Sequence, residues 1–543
     1  MVQLKQISSV EDILPKVNLA LTEISSMSVL MGESASYQIA YVADVCQEYT
    51  VTAHSDIQSH ISLYKIGNVP VGRTVHTLKG LADDNYISKD GGLYPDILYP
   101  LEDGLVRAEY YHQGIWVEID EAVPAGEHRI EVTFACGDER ASAAFTLEVL
   151  NAQLPPQELK YKVAVHGDCI AEYYDIPVFS QRHWELLEKF ITLSAQYGSN
   201  MLMPPVFTPP VDTWVGGERL TVQLVDITKD GEQYSFDFSK LERYISICHK
   251  AGIRYFFLPS LFTQWGAECA AKFVVREDGV EKKMFGWDVK STDPVYFAFL
   301  RQFLPALTDA VKRLGIEKNV MLSMSDEPFD DEAIRRYKTL NGFLAPLVKD
   351  FTVLDSFSSF AHFKESGANM PLIPIDVMAD FDGKIGDAQL CVYYCCAQDS
   401  KVSNRFITMP LYRTRCFGYQ MYKYDVKMFF HWALNFYHSA LSLKQVDPFQ
   451  STDADGCYPA GDPFNVYPGA DGPIKSTRLV VFKEALQDLR ALKLLERYIG
   501  REAVIQMLEE ITGEITFENC ARSAGTILTV RERLRENLRK FIV

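Results

Sequence analysis

Two adjacent acids, Asp326 and Glu327, stand where the apolar run beginning at Val320 ends, and Pro328 stops that run from continuing. Side by side, two carboxyls resist ionising together, so one can hold a proton near neutral pH while its neighbour stays charged. That is the equipment for acid and base work on a single bond. Taken alone, the dipeptide fits helix capping equally well, because acids favour helix N-termini and a helix is expected from near Asp330.

Other residues of the same chemical kinds follow other apolar runs. His166-Gly167-Asp168, Ser260 with Trp265 and Glu268 beyond it, Asp355, Asp376, Tyr393-Tyr394, and His431-Trp432 with Asn435 each lie just past one, and Trp214 follows Pro204-Pro205. Each has a plainer reading. His166 could be a satisfied histidine beneath a loop layer, Asp355 and Asp376 could cap the next helical turns, and one of Tyr393 and Tyr394 must face away from the other. Trp265, in Thr-Gln-Trp-Gly-Ala-Glu, sits without strand periodicity and is less readily explained as core.

The elements that must position these residues are strands alternating with amphipathic helices. Lys162 to His166, Asn200 to Met203, Ile253 to Pro259 and Asn319 to Ser325 read as buried parallel strands, followed by Phe351 to Asp355, Leu372 to Ile375, Leu390 to Tyr394 and Lys427 to Trp432. Between them Ser180 caps a helix with Trp184, Leu187, Phe190 and Ile191 on one face before Gly198, Leu241, Tyr244, Ile245 and Cys248 share a second stripe, and Asp293-Pro294 opens a third helix. A long Pro-rich loop follows the second strand. The fifth and sixth helices must be short, around Ala361 to Ser366 and Val377 to Phe381. Eight strands with intervening helices are what a (β/α)8 TIM-like barrel requires, and its loops converge on one face, so these scattered residues become neighbours.

Ahead of this region the pattern is all-β. Ile115, Val117 and Ile119 alternate, Pro124-Ala125-Gly126 turns the chain, Ile130, Val132 and Phe134 resume the period, and Phe145, Leu147 and Val149 close it. A β-sandwich is expected, ending at the linker Leu154-Pro155-Pro156-Gln157. From about Lys483 the chain reads as helices, with Gly500 and Gly513 at the turns. The expected organisation is a sandwich over 1–155, a catalytic barrel over 156–497, and a C-terminal helical segment over 498–543 packed on the barrel.

Composition narrows the function classes. With 543 residues, 47% of them hydrophobic and 23% charged, the chain is globular rather than disordered. The net charge of -18 disfavours nucleic acid and anionic membrane as partners, and no Lys/Arg cluster overrides it. The N-terminus shows no secretory signal and no stretch has the length of a membrane span, so a cytoplasmic location is the expectation, or an exported one if the sequence is trimmed. The 11 cysteines include no C-x-x-C pair; Cys391, Cys395 and Cys396 read as small buried fillers rather than zinc ligands. Without H-E-x-x-H, P-loop or G-x-G-x-x-G patterns, no metal and no cofactor are expected.

A rim rich in acids, aromatics and amides fits carbohydrate, where carboxylates bind hydroxyls and aromatic faces cover the apolar side of a pyranose. The chain resembles glycoside hydrolase family 123, bacterial β-N-acetylgalactosaminidases with an N-terminal β-sandwich and a catalytic barrel. The resemblance is carried by Tyr94-Pro95-Asp96-Ile97-Leu98, Tyr197-Gly198-Ser199-Asn200, Phe207-Thr208-Pro209-Pro210, Ser325-Asp326-Glu327-Pro328, Tyr393-Tyr394-Cys395-Cys396, Phe430 to Asn435, and Val466-Tyr467-Pro468-Gly469 before a helix from Ile474 to Leu495. Gly461-Asp462-Pro463 departs from the Gly-Asp-Gly common in relatives.

What the resemblance implies is retaining, substrate-assisted hydrolysis of an oligosaccharide or glycoconjugate. Asp326 would then stabilise an oxazolinium formed by the sugar's own 2-acetamido group, and Glu327 would be the general acid and later the general base. His166, Asp168, Trp265, Asp376, Tyr393, Tyr394, Trp432 and Asn435 are the expected substrate contacts, with Tyr393 or Tyr394 on the acetamido oxygen and Trp432 flooring the site. A glycosidase of this architecture acting on another sugar, and a non-catalytic glycan-binding protein, are the alternatives. Homo-oligomerisation stays open at this level.

Overall fold

The computed structural model describes residues 2–15, 21–75, 83–386 and 389–542. Up to Gln153 the chain forms two five-stranded sheets. One runs in the order Val2–Ser8, Ala35–Ala43, Gln113–Ile119, Ile61–Val71, Gly92–Pro100; the other runs Ser26–Met31, Glu139–Gln153, Gly126–Cys136, Gln47–His54, Leu105–Ala108. Strict alternation decides which side chains meet between them. Ile115, Val117 and Ile119 from the first sheet pack with Ile130, Val132, Phe134, Phe145, Leu147 and Val149 from the second in one buried cluster. The turn at Pro124 to Gly126 is where the chain passes from one sheet to the other.

Eight parallel strands then close a barrel: Lys160–Val163, Met201–Leu202, Tyr255–Leu258, Val320–Leu322, Thr352–Ser356, Met370–Pro374, Cys391–Tyr393 and Met428–Phe430. Each falls within or beside an expected run. The period of two splits their side chains cleanly: Met201, Phe257, Met321, Leu354, Leu372, Cys391, Tyr393, Met428 and Phe430 fill the lumen. Tyr161, Val163, Phe256, Val320, Leu322, Ile373, Val392 and Phe429 face the surrounding helices.

The helices begin where their caps stand. Ser180 Oγ accepts from the His183 amide at 3.2 Å to start Gln181–Gln196, and Asp293 accepts from the Val295 amide at 2.8 Å to start Pro294–Arg313. Asp330 accepts from the Ala333 amide at 2.7 Å to start Asp331–Leu344. The cap of that helix is therefore Asp330, and Asp326 and Glu327 are left free of the role. The fifth and sixth units carry only Phe360–Ser366 and Met378–Phe381 as α-helix, as short as the spacing requires.

Two expectations need correction. The long Pro-rich loop after the second barrel strand is not loop throughout: Asp226–Asp230 and Gln233–Asp237 within it join Phe273–Glu277 and Val280–Phe285, which follow the third strand, in a four-stranded sheet. Gly231-Glu232 and Asp278-Gly279 are the hairpin turns, with positive φ at Gly231, Asp278 and Gly279. Ile474 lies in the hairpin Val466–Gly469/Gly472–Lys475 rather than in a helix; the helix starts at Thr477, capped by Ser476, and runs to Ile499. Arg501–Thr512 and Ala524–Arg539 follow.

Buried ion pairs join the parts. Arg415 binds Glu484 at 2.6 Å and Asp488 at 2.7 Å, locking Leu411–Lys423 to Thr477–Ile499. Arg478 grips Asp96 of the sandwich through Nε at 2.7 Å and Nη2 at 2.9 Å. Among the described residues no helix is long and apolar enough to cross a membrane.

Candidate active site

At the C-terminal mouth of the barrel strands the loops enclose a cavity of about 340 Å³. Asp326 and Glu327 line it, together with Lys162, Asp212, Gln264, Trp265, Asp355, Ser356, Tyr393, His431, Trp432 and Tyr458. The acidic pair is carried on the fourth strand's loop, and its neighbours hold that loop by name. Asp355, on the fifth strand, accepts from Ser323 Oγ at 2.6 Å, the Met324 amide at 3.0 Å and Tyr337 Oη at 2.6 Å. Asp355 is thus a clamp on the segment leading into the pair, not the cap of a following turn.

Glu327 adopts φ 40°, a left-handed backbone that a non-glycine residue takes only under restraint. Trp265 (φ 60°) and Asp212 (φ 48°) share that strain. The three loops restrain one another: the Trp265 amide donates to the Asp326 carbonyl at 2.9 Å, and Gln264 Oε1 accepts from the Asp212 amide at 2.6 Å. Asp212 in turn accepts from Tyr458 Oη at 2.6 Å and the Leu441 amide at 3.0 Å, fastening the loop after the second strand to the one after the eighth.

Tyr393 faces the lumen, and its hydroxyl donates to Glu327 Oε1 while accepting from Ser356 Oγ at 2.9 Å. Tyr394, one residue on, turns its ring outward against Phe417 and Phe429 and beneath the Arg405 guanidinium. Of the two, the hydroxyl beside the acidic pair is that of Tyr393. Trp432 lines the cavity with its indole Nε1 donating to Asp462 at 2.9 Å.

The charges are arranged under tension. Burial, then the charge of Glu327, pushes Asp326 up to about 7, and Lys162 works against the rise. Burial likewise raises Asp355 to about 6 and Asp462 to about 7. Lys162 is driven the other way, down to about 8, by burial.

The expected contacts divide. Trp265, Tyr393 and Trp432 line the cavity with the pair, and Tyr394 borders it with its ring turned outward. His166, Asp168, Asn435 and Asp376 do not. His166 is buried behind Trp432: it accepts from Arg219 Nη2 at 3.1 Å, donates from Nε2 to the Trp432 carbonyl at 3.2 Å, and is pushed down to about 3 by burial and the guanidinium. Asp168 is bound at both oxygens by Arg219, at 2.7 and 2.9 Å. Asn435 accepts from the His166 amide and donates to its carbonyl. These three form a layer supporting the indole. Asp376 lies off the cavity, accepting from Gln398 at 3.1 Å. Glu268 pairs with Lys290 on the surface, and Trp214 stands exposed outside the cavity wall.

Lys162, Asp212, Gln264, Ser356 and Tyr458 went unread. For Lys162 the signal was present, as a lysine on the parity opposite to Tyr161 and Val163, which face outward. The others sit in loops whose convergence no local pattern shows. Cys391 fills the lumen, whereas Cys395 and Cys396 line the cavity wall. One group of metal-ligating types occurs among the described residues, Asp168, Cys169 and His438, within 4.8 Å of one another. The Arg219 guanidinium already holds Asp168 and lies 3.8 Å from the Cys169 sulfur, so a cation there would meet a fixed positive charge.

A pair of carboxyls beside aromatic faces in a barrel mouth is the equipment of a glycosidase, and the comparisons agree. The model of "Glycoside hydrolase 123, catalytic domain" matches residues 165–495. A solved family 123 glycoside hydrolase from Clostridium perfringens, described in connection with glycolipid glycan hydrolysis, superposes with a TM-score of 0.74 at 15% identity, covering 100% of this chain and 99% of that one. A putative beta-galactosidase from Bacteroides fragilis overlaps more loosely, with a TM-score of 0.32 at 8% identity over 88% of this chain and 60% of that one. No curated protein matches the sequence. With the family's catalytic domain matched over more than half its length, the chain belongs to glycoside hydrolase family 123 and is a glycosidase acting on a glycan.

Proposed function

We propose that this glycosidase releases terminal β-linked N-acetylhexosamine, preferring the galacto sugar, with retention and through an oxazolinium formed by the substrate. The observation that supports it best is the state of the cavity's acids. Asp212 and Asp355 have both oxygens taken by protein donors, which leaves the adjacent pair Asp326 and Glu327 as the acids able to act. Two neighbouring carboxyls on one loop are ill placed to flank a sugar from opposite faces, as an acid and an enzyme nucleophile must. A nucleophile supplied by the substrate removes that demand.

In this reading substrate binding places the proton the pair shares on Glu327, because the acetamido N–H donates to Asp326 and holds it charged. The acetamido oxygen then attacks the anomeric carbon while Glu327 passes that proton to the leaving oxygen. Asp326 accepts from the acetamido N–H and faces the positive charge that develops on the ring so formed. Water then gives its proton to Glu327 and attacks the same carbon, opening the oxazoline and restoring the acetamide on a sugar of retained configuration. Tyr393 holds Glu327 rather than the acetamido oxygen, since its hydroxyl proton is already committed. Trp432 and Trp265 offer faces to the sugar.

Glu327→Gln tests the assignment. Turnover of an unactivated disaccharide should fall by about 10² to 10⁴, the contribution of a general acid, while an aryl glycoside with a good leaving group should lose far less. Full activity of the variant on the disaccharide would remove Glu327 from the role. A thiazoline analogue of the oxazolinium should inhibit the wild type strongly, and an aryl glycoside panel reports whether the 2-acetamido group is required.

A further inference from the structure

Lys162 occupies the middle of the first barrel strand, where parity turns it into the lumen. It is only 6% exposed and lines the same cavity as the acidic pair. Its ammonium stands 5.7 Å from the centroid of Phe257, a lumen residue of the third strand, and its ladder partners are Met201 and Phe430. Among the described residues its ammonium forms neither a hydrogen bond nor a salt bridge. Most other cations buried as deeply are met by an acid, Arg219 by Asp168, Arg415 by Glu484 and Asp488, Arg478 by Asp96 and Lys475 by Glu118, while Arg405 donates to Tyr161 Oη and lies against the Phe482 ring.

A buried ammonium without an acceptor is costly, and three donor protons aimed into a cavity are unused. Asp326 acts on it only from beyond salt-bridge distance. Were Lys162 simply the counter-ion of the pair, contact with Asp326 would be expected, and the structure lacks it. The acceptor it lacks is one that arrives with the ligand. With Asp326, Glu327 and Asp355 around the same space, an anionic substituent on the sugar would be repelled, which leaves a neutral oxygen.

We propose that Lys162 is a specificity-determining residue that donates a hydrogen bond to one ring hydroxyl of the terminal sugar, at C3, C4 or C6, on the floor of the cavity. The inference rests on the sugar occupying this cavity, as in the function proposed above, but not on which sugar it is. A hydroxyl that reaches Lys162 orients the pyranose over the acidic pair, and a sugar lacking that oxygen leaves the ammonium unpaired, a discrimination larger than an apolar floor could supply.

The experiment compares wild type with Lys162→Met on an aryl glycoside and its 3-, 4- and 6-deoxy analogues. The parent is whichever glycoside the wild type cleaves fastest, so a failure of the N-acetylhexosamine reading changes the panel without voiding the test. Each analogue's intrinsic reactivity cancels, because both enzymes meet the same compound. On the parent, kcat/KM of the variant should fall about tenfold to a hundredfold, the range for a hydrogen bond from a charged donor. On one deoxy analogue that penalty should shrink by about fivefold or more, leaving only the part common to every substrate that follows from removing the cation opposing the rise of Asp326. Melting temperature should not drop, since an unpaired buried charge is removed. An equal penalty on every analogue, or none on the parent, overturns the proposal. Lys162→Gln, which keeps a neutral donor, runs the same panel should the Met variant not fold, and the same two outcomes apply.

Discussion

At Asp326 the charge that would stabilise a cationic intermediate is the charge the folded protein resists. Its carboxyl rises from 3.8 to about 7 through burial and the neighbouring Glu327. Between those values the folded chain holds a proton that the unfolded chain has released, so the stability linked to it is fully present below about pH 4 and lost as pH climbs through 7. Asparagine cannot ionise. Asp326→Asn should therefore melt a few degrees above wild type at pH 8, with the gap closing toward pH 4, as calorimetry across that range would show. The same substitution removes the charge facing the intermediate and should cost about 10² to 10³ in kcat. A more stable, nearly inactive variant is the expected signature of a residue kept for function at the expense of stability. A variant no more stable at pH 8 than at pH 4 would show that the carboxyl is not held under tension.

At the scale of elements, the pair is positioned by loops that fasten to one another. Asp355 on the fifth strand receives the Met324 amide and the hydroxyls of Ser323 and Tyr337, so it acts on the chemistry only through the backbone it holds. In Asp355→Ala those donors are left buried and unpaired, costing about 2–4 kcal/mol in urea unfolding. Loss of restraint on Glu327, whose φ of 40° needs the loop held, should also lower kcat by about a hundredfold in the protein that remains folded, with KM changed far less. This part of the design was half legible. Strand ends, the Ser180, Asp293 and Asp330 caps and the short fifth and sixth helices follow from local pattern and cap chemistry. That Asp355 would reach sideways to the preceding strand's loop instead of forward to a cap depends on how that loop folds over the strand end, which the order of strands does not state.

Across the whole molecule, one of the buried links between the sandwich and the barrel runs through the Arg478 guanidinium to the catalytic face. Asp96 takes two bonds from Arg478, which also donates to the carbonyls of Arg405, Gly461 and Phe464. Those carbonyls frame Asp462, and Asp462 holds the indole of Trp432 in the cavity. Asp96→Ala leaves a cation buried without its acid and should cost about 3–5 kcal/mol. Because the same guanidinium fastens the Trp432 support, activity should fall at denaturant concentrations too low to unfold the sandwich, a difference measurable by following turnover and circular dichroism together. Coincident loss of both signals would mean that Arg478 serves stability alone.

The order of elements, the eight barrel strands and the acidic pair at the fourth strand's end are legible locally, because each rests on spacing, caps and turns within a few residues. The tertiary structure alone decided which rim residues meet. Barrel closure sets the inward parity that brings Tyr393 and Lys162 to the cavity and turns the Tyr394 ring away. His166, Asp168 and Asn435 stand at strand ends as expected, yet Arg219 from a distant loop and their own mutual bonds draw them behind Trp432. Local chemistry names the groups a chain can use; which of them share a cavity is settled by long-range pairing, whose partners are far apart in sequence.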